Sequence, residues 1–151
     1  MAHTPVNHPA RPIYRAIGAL TGLYLIVFGV FGLVANSGNE AFAQDGTRAL
    51  GQGTNLGFAV LCVALGVVII VGVVLGRNVD VAIDQASAYG LLVLSLAGLA
   101  VLRTDANIFN FTMSTCVVIM IVGLVLLMTA MYGKTGTAEE AEAAERARLV
   151  H

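Results

Sequence analysis

Three histidines and two cysteines are the side chains of this 151-residue chain best suited to hold a metal or attack a substrate. His3, His8 and His151 lie in the two tails, whereas Cys62 and Cys116 lie in apolar stretches. No Ser–His or Cys–His pair follows from that placement, and two Cys without His or carboxylate do not make a metal site. There is no HExxH, CxxC or GxSxG. Gly133-Lys134-Thr135 has the last three residues of a phosphate-binding loop, but position 128 is Met where that loop needs Gly. Asn110-Phe111-Thr112 is a sequon at the edge of an apolar stretch. Met113, Met120, Met128 and Met131 share one such stretch, where Met is packing material rather than a haem ligand. These residues predict no enzyme, no cofactor and no metal.

The elements that would position any chemistry are set by composition. Residues of the set AVILMFWYC make up 58% of the chain and charged residues 11%, against roughly 25% charged in ordinary soluble domains. Disorder, a disulfide-stapled domain and a nucleic-acid binder are excluded, because high charge, dense Cys and a basic balance are all missing. Four stretches lack charge: Ala16 to Ala35, Leu56 to Gly76, Ala86 to Leu102 and Phe111 to Tyr132, of 20, 21, 17 and 22 residues. A bilayer core of about 30 Å needs about 20 helical residues. Val81, Ala82 and Ile83 extend the third stretch past Asp84. The runs are too long and too uniformly apolar for barrel strands. The expected fold is an all-α membrane protein with four transmembrane helices in two hairpins, spans 16–35, 56–76, 82–102 and 111–132, plus a short cytoplasmic C-terminal helix. The first span exceeds the 7–15 residues of a signal-peptide core and reads as a retained anchor.

Lys and Arg set the orientation. Arg11, Arg15, Arg77 and Lys134 (with Arg146 and Arg148 further on) flank one side, and Arg48 and Arg103 the other. That places both termini in the cytoplasm of an inner membrane. Residues 1–15 carry Pro5, Pro9 and Pro12 and predict an extended arm, either free or laid over a partner. The connection from Asn36 to Asn55 is long enough to hold a short surface helix over Glu40 to Leu50. Residues 134–151 form an acidic amphipathic tail. Thr137 and Glu140 have capping-box spacing, with Glu139, Glu142 and Glu145 early and Arg146 and Arg148 late, as a helix dipole favours.

The four charge-free stretches hold none of the ionisable groups on which proton relays and coupled transporters depend. Their positive signal is small residues. Gly18 and Gly22 form GxxxG, as do Gly72 and Gly76, and Gly90 and Gly98 add to the set. Such positions let helix backbones approach, within one bundle or against another subunit. Asn55, Asn107 and Asn110 are candidate helix caps after the outer loops, as Thr137 is for the tail.

The hairpins echo each other in Asn55-Leu56-Gly57-Phe58 and Asn107-Ile108-Phe109-Asn110, and the first helix opens on Tyr14-Arg15-Ala16-Ile17-Gly18. This pattern, over roughly residues 12–133, resembles an uncharacterised actinobacterial family of four-helix inner-membrane proteins, a family of unknown function. Members often have His where this chain has Phe58 and Asn110, so no role of those histidines transfers. The chain also looks like the small accessory subunits of the actinobacterial cytochrome bcc–oxidase respiratory supercomplex. The resemblance implies a non-catalytic accessory, assembly or stabilising subunit of that electron-transport assembly. Its partners would be integral membrane subunits and lipid, with no nucleic acid. The alternative is a small homo-oligomeric four-helix transporter or neutral-solute channel.

Overall fold

A computed structural model describes residues 5–149, with side chains described to residue 146. His3 and His151, and with them the outermost parts of both tails, lie outside the described residues. Four helices are long and apolar enough to cross a membrane: α1 Arg11–Ala35, α2 Leu56–Leu75, α3 Val79–Val101 and α4 Met113–Tyr132. They form two antiparallel hairpins, α1 with α2 and α3 with α4. The hairpins close into a ring through α2 against α3 and α1 against α4. A fifth helix, α5 Ala138–Leu149, follows. Both tails emerge at one end of the bundle, here the terminal end; the two longer connections cover the other, the loop end. The all-α, four-span fold with a short C-terminal helix is what the sequence predicts.

Local chemistry explains the boundaries. Asn55 opens α2, its side-chain oxygen accepting from Phe58 N at 3.0 Å. α4 opens on Thr112 and Thr115, which cap each other's backbone reciprocally. Asn107 and Asn110 therefore do not cap α4, contrary to the sequence expectation. Asn107 accepts from Phe111 N at 2.8 Å and folds the loop back on itself. Asn110 takes a left-handed conformation (φ 55°) and donates to Thr54 O at 3.0 Å. The bonds that Asn107 and Asn110 make move the helix start two residues later than 111. Thr137 caps α5, accepting from Glu140 N at 3.2 Å while Glu140 accepts from Thr137 N at 3.0 Å.

Three further expectations need correction. The arm ends at Ala10 instead of residue 15, because Pro12 suits the first turn of a helix and α1 starts at Arg11; its described residues are bent rather than extended, with Asn7 left-handed at φ 59° and a turn at Pro9 and Ala10. The third span starts at Val79 instead of 82, since Asp80 and Asp84 find partners inside the bundle. The surface helix over Glu40 to Leu50 is absent. A two-residue hairpin, β1 Arg48–Ala49 and β2 Gln52–Gly53, forms instead around Leu50 and Gly51, both at positive φ. Gly51 is suited to that conformation and helix propagation is not.

The core runs along the bundle axis. Phe58, Ile69, Leu126 and Cys116 are fully buried, and Phe58 makes edge contacts with Phe28 and Phe111, its ring 4.8 Å from that of Phe111. Outward positions such as Leu20, Val34, Val74, Val93 and Leu124 stay exposed. An apolar outer shell is what a bilayer requires of a spanning bundle.

Candidate functional site

The residues that stand out chemically are two charged pairs at the terminal end. Arg11 and Arg15 lie four apart on α1, and Asp80 and Asp84 four apart on α3. That spacing puts each pair on one helix face. Both arginines converge on a single oxygen, Asp80 Oδ2: Arg15 Nε lies 3.0 Å from it and Arg11 Nη2 3.4 Å. The Asp80 side chain is 4% exposed, whereas those of Arg11 and Arg15 are 20% and 32% exposed. The guanidiniums also reach backbone carbonyls left over at helix ends. Arg11 Nε donates to Gly133 O at 2.7 Å, and Arg15 Nη2 donates to Val73 O. Gly76 closes α2 at φ 61°, with the Arg15 guanidinium seated against it. Arg15 thus binds α1 to α2 and α3, and Arg11 binds α1 to α3 and α4.

Asp84 lies one turn deeper and is equally buried. Its Oδ2 sits 2.7 Å from Thr129 Oγ1, which also lies 2.7 Å from Leu126 O. The Thr129 hydroxyl is thus shared between the Asp84 carboxyl and a backbone carbonyl of its own helix. Among the described residues Asp84 Oδ1 has no hydrogen-bond partner. Gly18 makes room for this carboxyl, because a Cβ there would come 3.0 Å from Asp84 Oδ2.

The N-terminal arm closes the same end. Asn7 N donates to Lys134 O at 3.0 Å, Asn7 Nδ2 to Gly136 O at 2.9 Å, and Gly136 N to Asn7 Oδ1 at 3.1 Å. The His8 ring packs edge-on against Tyr14 and Tyr132, which stack at 4.8 Å. The described part of the arm is thus strapped over its own chain.

Protein-family models, curated proteins and solved structures offer no match to this chain.

The glycines singled out by sequence separate clearly. Gly22 packs α1 against α2, where a Cβ would lie 3.0 Å from Gly66 O. Gly72 accommodates Ile83 of α3, and Gly98 accommodates Phe111 and Cys116. Gly90 is exposed and faces open space. The cap Asn55 and the loop residues Asn107 and Asn110 lie together at the loop end, where Asn55 Nδ2 donates to Ile108 O at 2.7 Å. There Thr115 Oγ1 donates to Gly53 O at 2.9 Å, and Gln52 Nε2 to Tyr24 Oη at 2.7 Å. Cys62 and Cys116 are buried free thiols.

Sequence reasoning missed the Arg11–Arg15–Asp80–Asp84–Thr129 group. Arg11 and Arg15 read as topology signals, and Asp84 as a charge that the third stretch runs past. The available clue was two oppositely charged i,i+4 pairs, each flanking a span at the same end of the bundle. The premise that the spans lack ionisable groups therefore holds for the charge-free stretches but not for the helices themselves.

Proposed function

We propose that this chain is a non-catalytic accessory or stabilising subunit of a larger membrane assembly. The observation that carries this reading is an interior filled by the described residues. The void at the bundle centre, beside Phe28, Phe58 and Ile119, is only about 10 Å³, about the volume that one water centre needs. A block held closed at both ends by its own hydrogen bonds, with apolar outer faces, suits lateral packing against other membrane subunits and lipid. The candidate assembly is the actinobacterial respiratory electron-transport supercomplex suggested by the sequence resemblance, with both termini in the cytoplasm by the Lys/Arg bias. Purification from native membranes in a mild detergent, followed by native mass measurement, tests it. Co-purification with integral respiratory subunits is expected, and recovery only as a free monomer overturns it.

Asp84 favours a second reading, a small homo-oligomeric transporter. A buried intramembrane carboxyl with an unpartnered oxygen is the kind of group through which transport is coupled. Solute or proton flux into liposomes holding only this chain, abolished by Asp84→Asn, would replace the first reading with this one.

A further inference from the structure

A groove of about 410 Å³ runs down the outside of the bundle between α3 and α4, starting at the terminal end. Its rim and wall carry three donors: the Lys134 ammonium, the Gln85 amide and the Tyr89 phenol. All three residues are exposed. Among the described residues none of these side chains has a hydrogen-bond or ion-pair partner. Asn78, also at the rim, is by contrast held by Thr135. Between the donors the groove is apolar, lined by Val81, Leu127 and Met131.

Depth orders these groups. Lys134 lies two residues beyond the end of α4. Gln85 and Tyr89 lie six and ten residues into α3, roughly 9 and 15 Å along its axis. Helical side chains lean toward their helix N-terminus, which for α3 is the terminal end. The amide and phenol therefore lean back toward the level of Lys134. A donor facing hydrocarbon without an acceptor is costly, so the occupant must bring acceptors to two depths along an otherwise apolar wall. The Asp80 carboxylate of α3 faces the bundle interior and is held by Arg11 and Arg15, so it does not neutralise Lys134.

We infer that this groove binds one anionic phospholipid. Its phosphate sits at Lys134, its glycerol ester carbonyls accept from Gln85 and Tyr89, and one acyl chain lies along Val81, Leu127 and Met131. A packed protein helix would bring its acceptors already satisfied by its own backbone, and a zwitterionic lipid would bring a second cation to Lys134. The inference goes beyond the accessory role and does not depend on it.

The test is native mass spectrometry of the full chain in a mild non-ionic detergent. It is titrated with phosphatidylglycerol, with phosphatidylcholine of the same acyl chains, and with inorganic phosphate. Phosphatidylglycerol should be retained one per chain in preference to phosphatidylcholine. Lys134→Ala should weaken that binding about fivefold, the worth of one interfacial lysine, and Lys134→Arg should keep it. The double variant Gln85→Leu/Tyr89→Phe should weaken both lipids. Arg103→Ala, a cation at the loop end, should change neither. Equal retention of the two lipids, binding of inorganic phosphate as strong as that of phosphatidylglycerol, or an equal loss in Arg103→Ala would each overturn the assignment.

Discussion

Replacing Arg15 by Leu removes the closer of two cations from a carboxylate that has almost no access to solvent. Asp80 keeps Arg11, but at 3.4 Å instead of 3.0 Å, and Val73 O loses its side-chain donor. Removing one partner of a buried ion pair typically costs about 3–5 kcal/mol, because the survivor stays buried and uncompensated. Arg15 is about one-third exposed and Arg11 remains, so the lower end applies, about 3 kcal/mol. For a chain of this size that is a fall in Tm of about 6–12 °C. Asp80→Asn should cost less, since the two guanidiniums it releases can reach water. The double variant Arg15→Leu/Asp80→Asn should recover part of the loss, with a coupling of about 1–3 kcal/mol. Thermal unfolding of the four proteins in one detergent, followed by circular dichroism, measures this cycle. A shift under about 2 °C for Arg15→Leu, or strict additivity of the two single variants, would refute the view that this cluster clamps the helices.

At Gly29 an added Cβ would lie 2.7 Å from Ala59 O, a backbone atom, so Gly29→Ala should lower stability by about 1–3 kcal/mol, while Gly90→Ala should stay within about 0.5 kcal/mol in the same melts. Asn55→Ala removes a helix cap and leaves Ile108 O without its side-chain donor; a loss of about 2 kcal/mol is expected, read in the same assay. Asp45 accepts from Thr47 N at 3.0 Å and from Asn39 Nδ2 at 2.7 Å, and the bonds from Thr47 hold its carboxyl below the usual value of 3.8. A depressed folded pKa means that its contribution is present above the unfolded pKa and is lost as pH falls through the folded one. The Thr47 amide resonance should therefore titrate with a midpoint below 3.8, and Asp45→Asn should abolish that titration. Cys116, fully buried, should resist maleimide in the folded protein and react once it is unfolded.

The long-range order of the chain was legible where one physical signal dominates. Uncharged runs near 20 residues admit no structure in lipid but a helix, and Asn55, Thr137 and Glu140 announce their caps through local side-chain–backbone chemistry. What escaped was decided by partners distant in sequence. Asn107 and Asn110 have the side chains of caps, yet Asn107 is engaged by Phe111 of its own loop and Asn110 donates to Thr47 O and Thr54 O, the residues that flank the β1–β2 hairpin. Arg11, Arg15, Asp80 and Asp84 are individually ordinary charges at span edges. Only the ring closure of α1 with α4 and α2 with α3 brings them together, and nothing in either local segment reports that closure. Gly22 and Gly90 look alike in sequence and differ because one faces a helix and the other does not.

The arm's clasp on the far end of the bundle has a temporal consequence. The bonds between Asn7 and Gly136 join residues 129 positions apart, so during synthesis Asn7 must wait until all four spans have been made. Arg11 and Arg15 likewise stay without Asp80 until the third helix has been laid down, and Arg11 without Gly133 until the fourth has. The clasp therefore closes only on a chain whose last span is in register, and a chain that stalls earlier keeps its arm open and its arginines bare. Completion of the bundle is thus recorded at Asn7, Arg11 and Arg15.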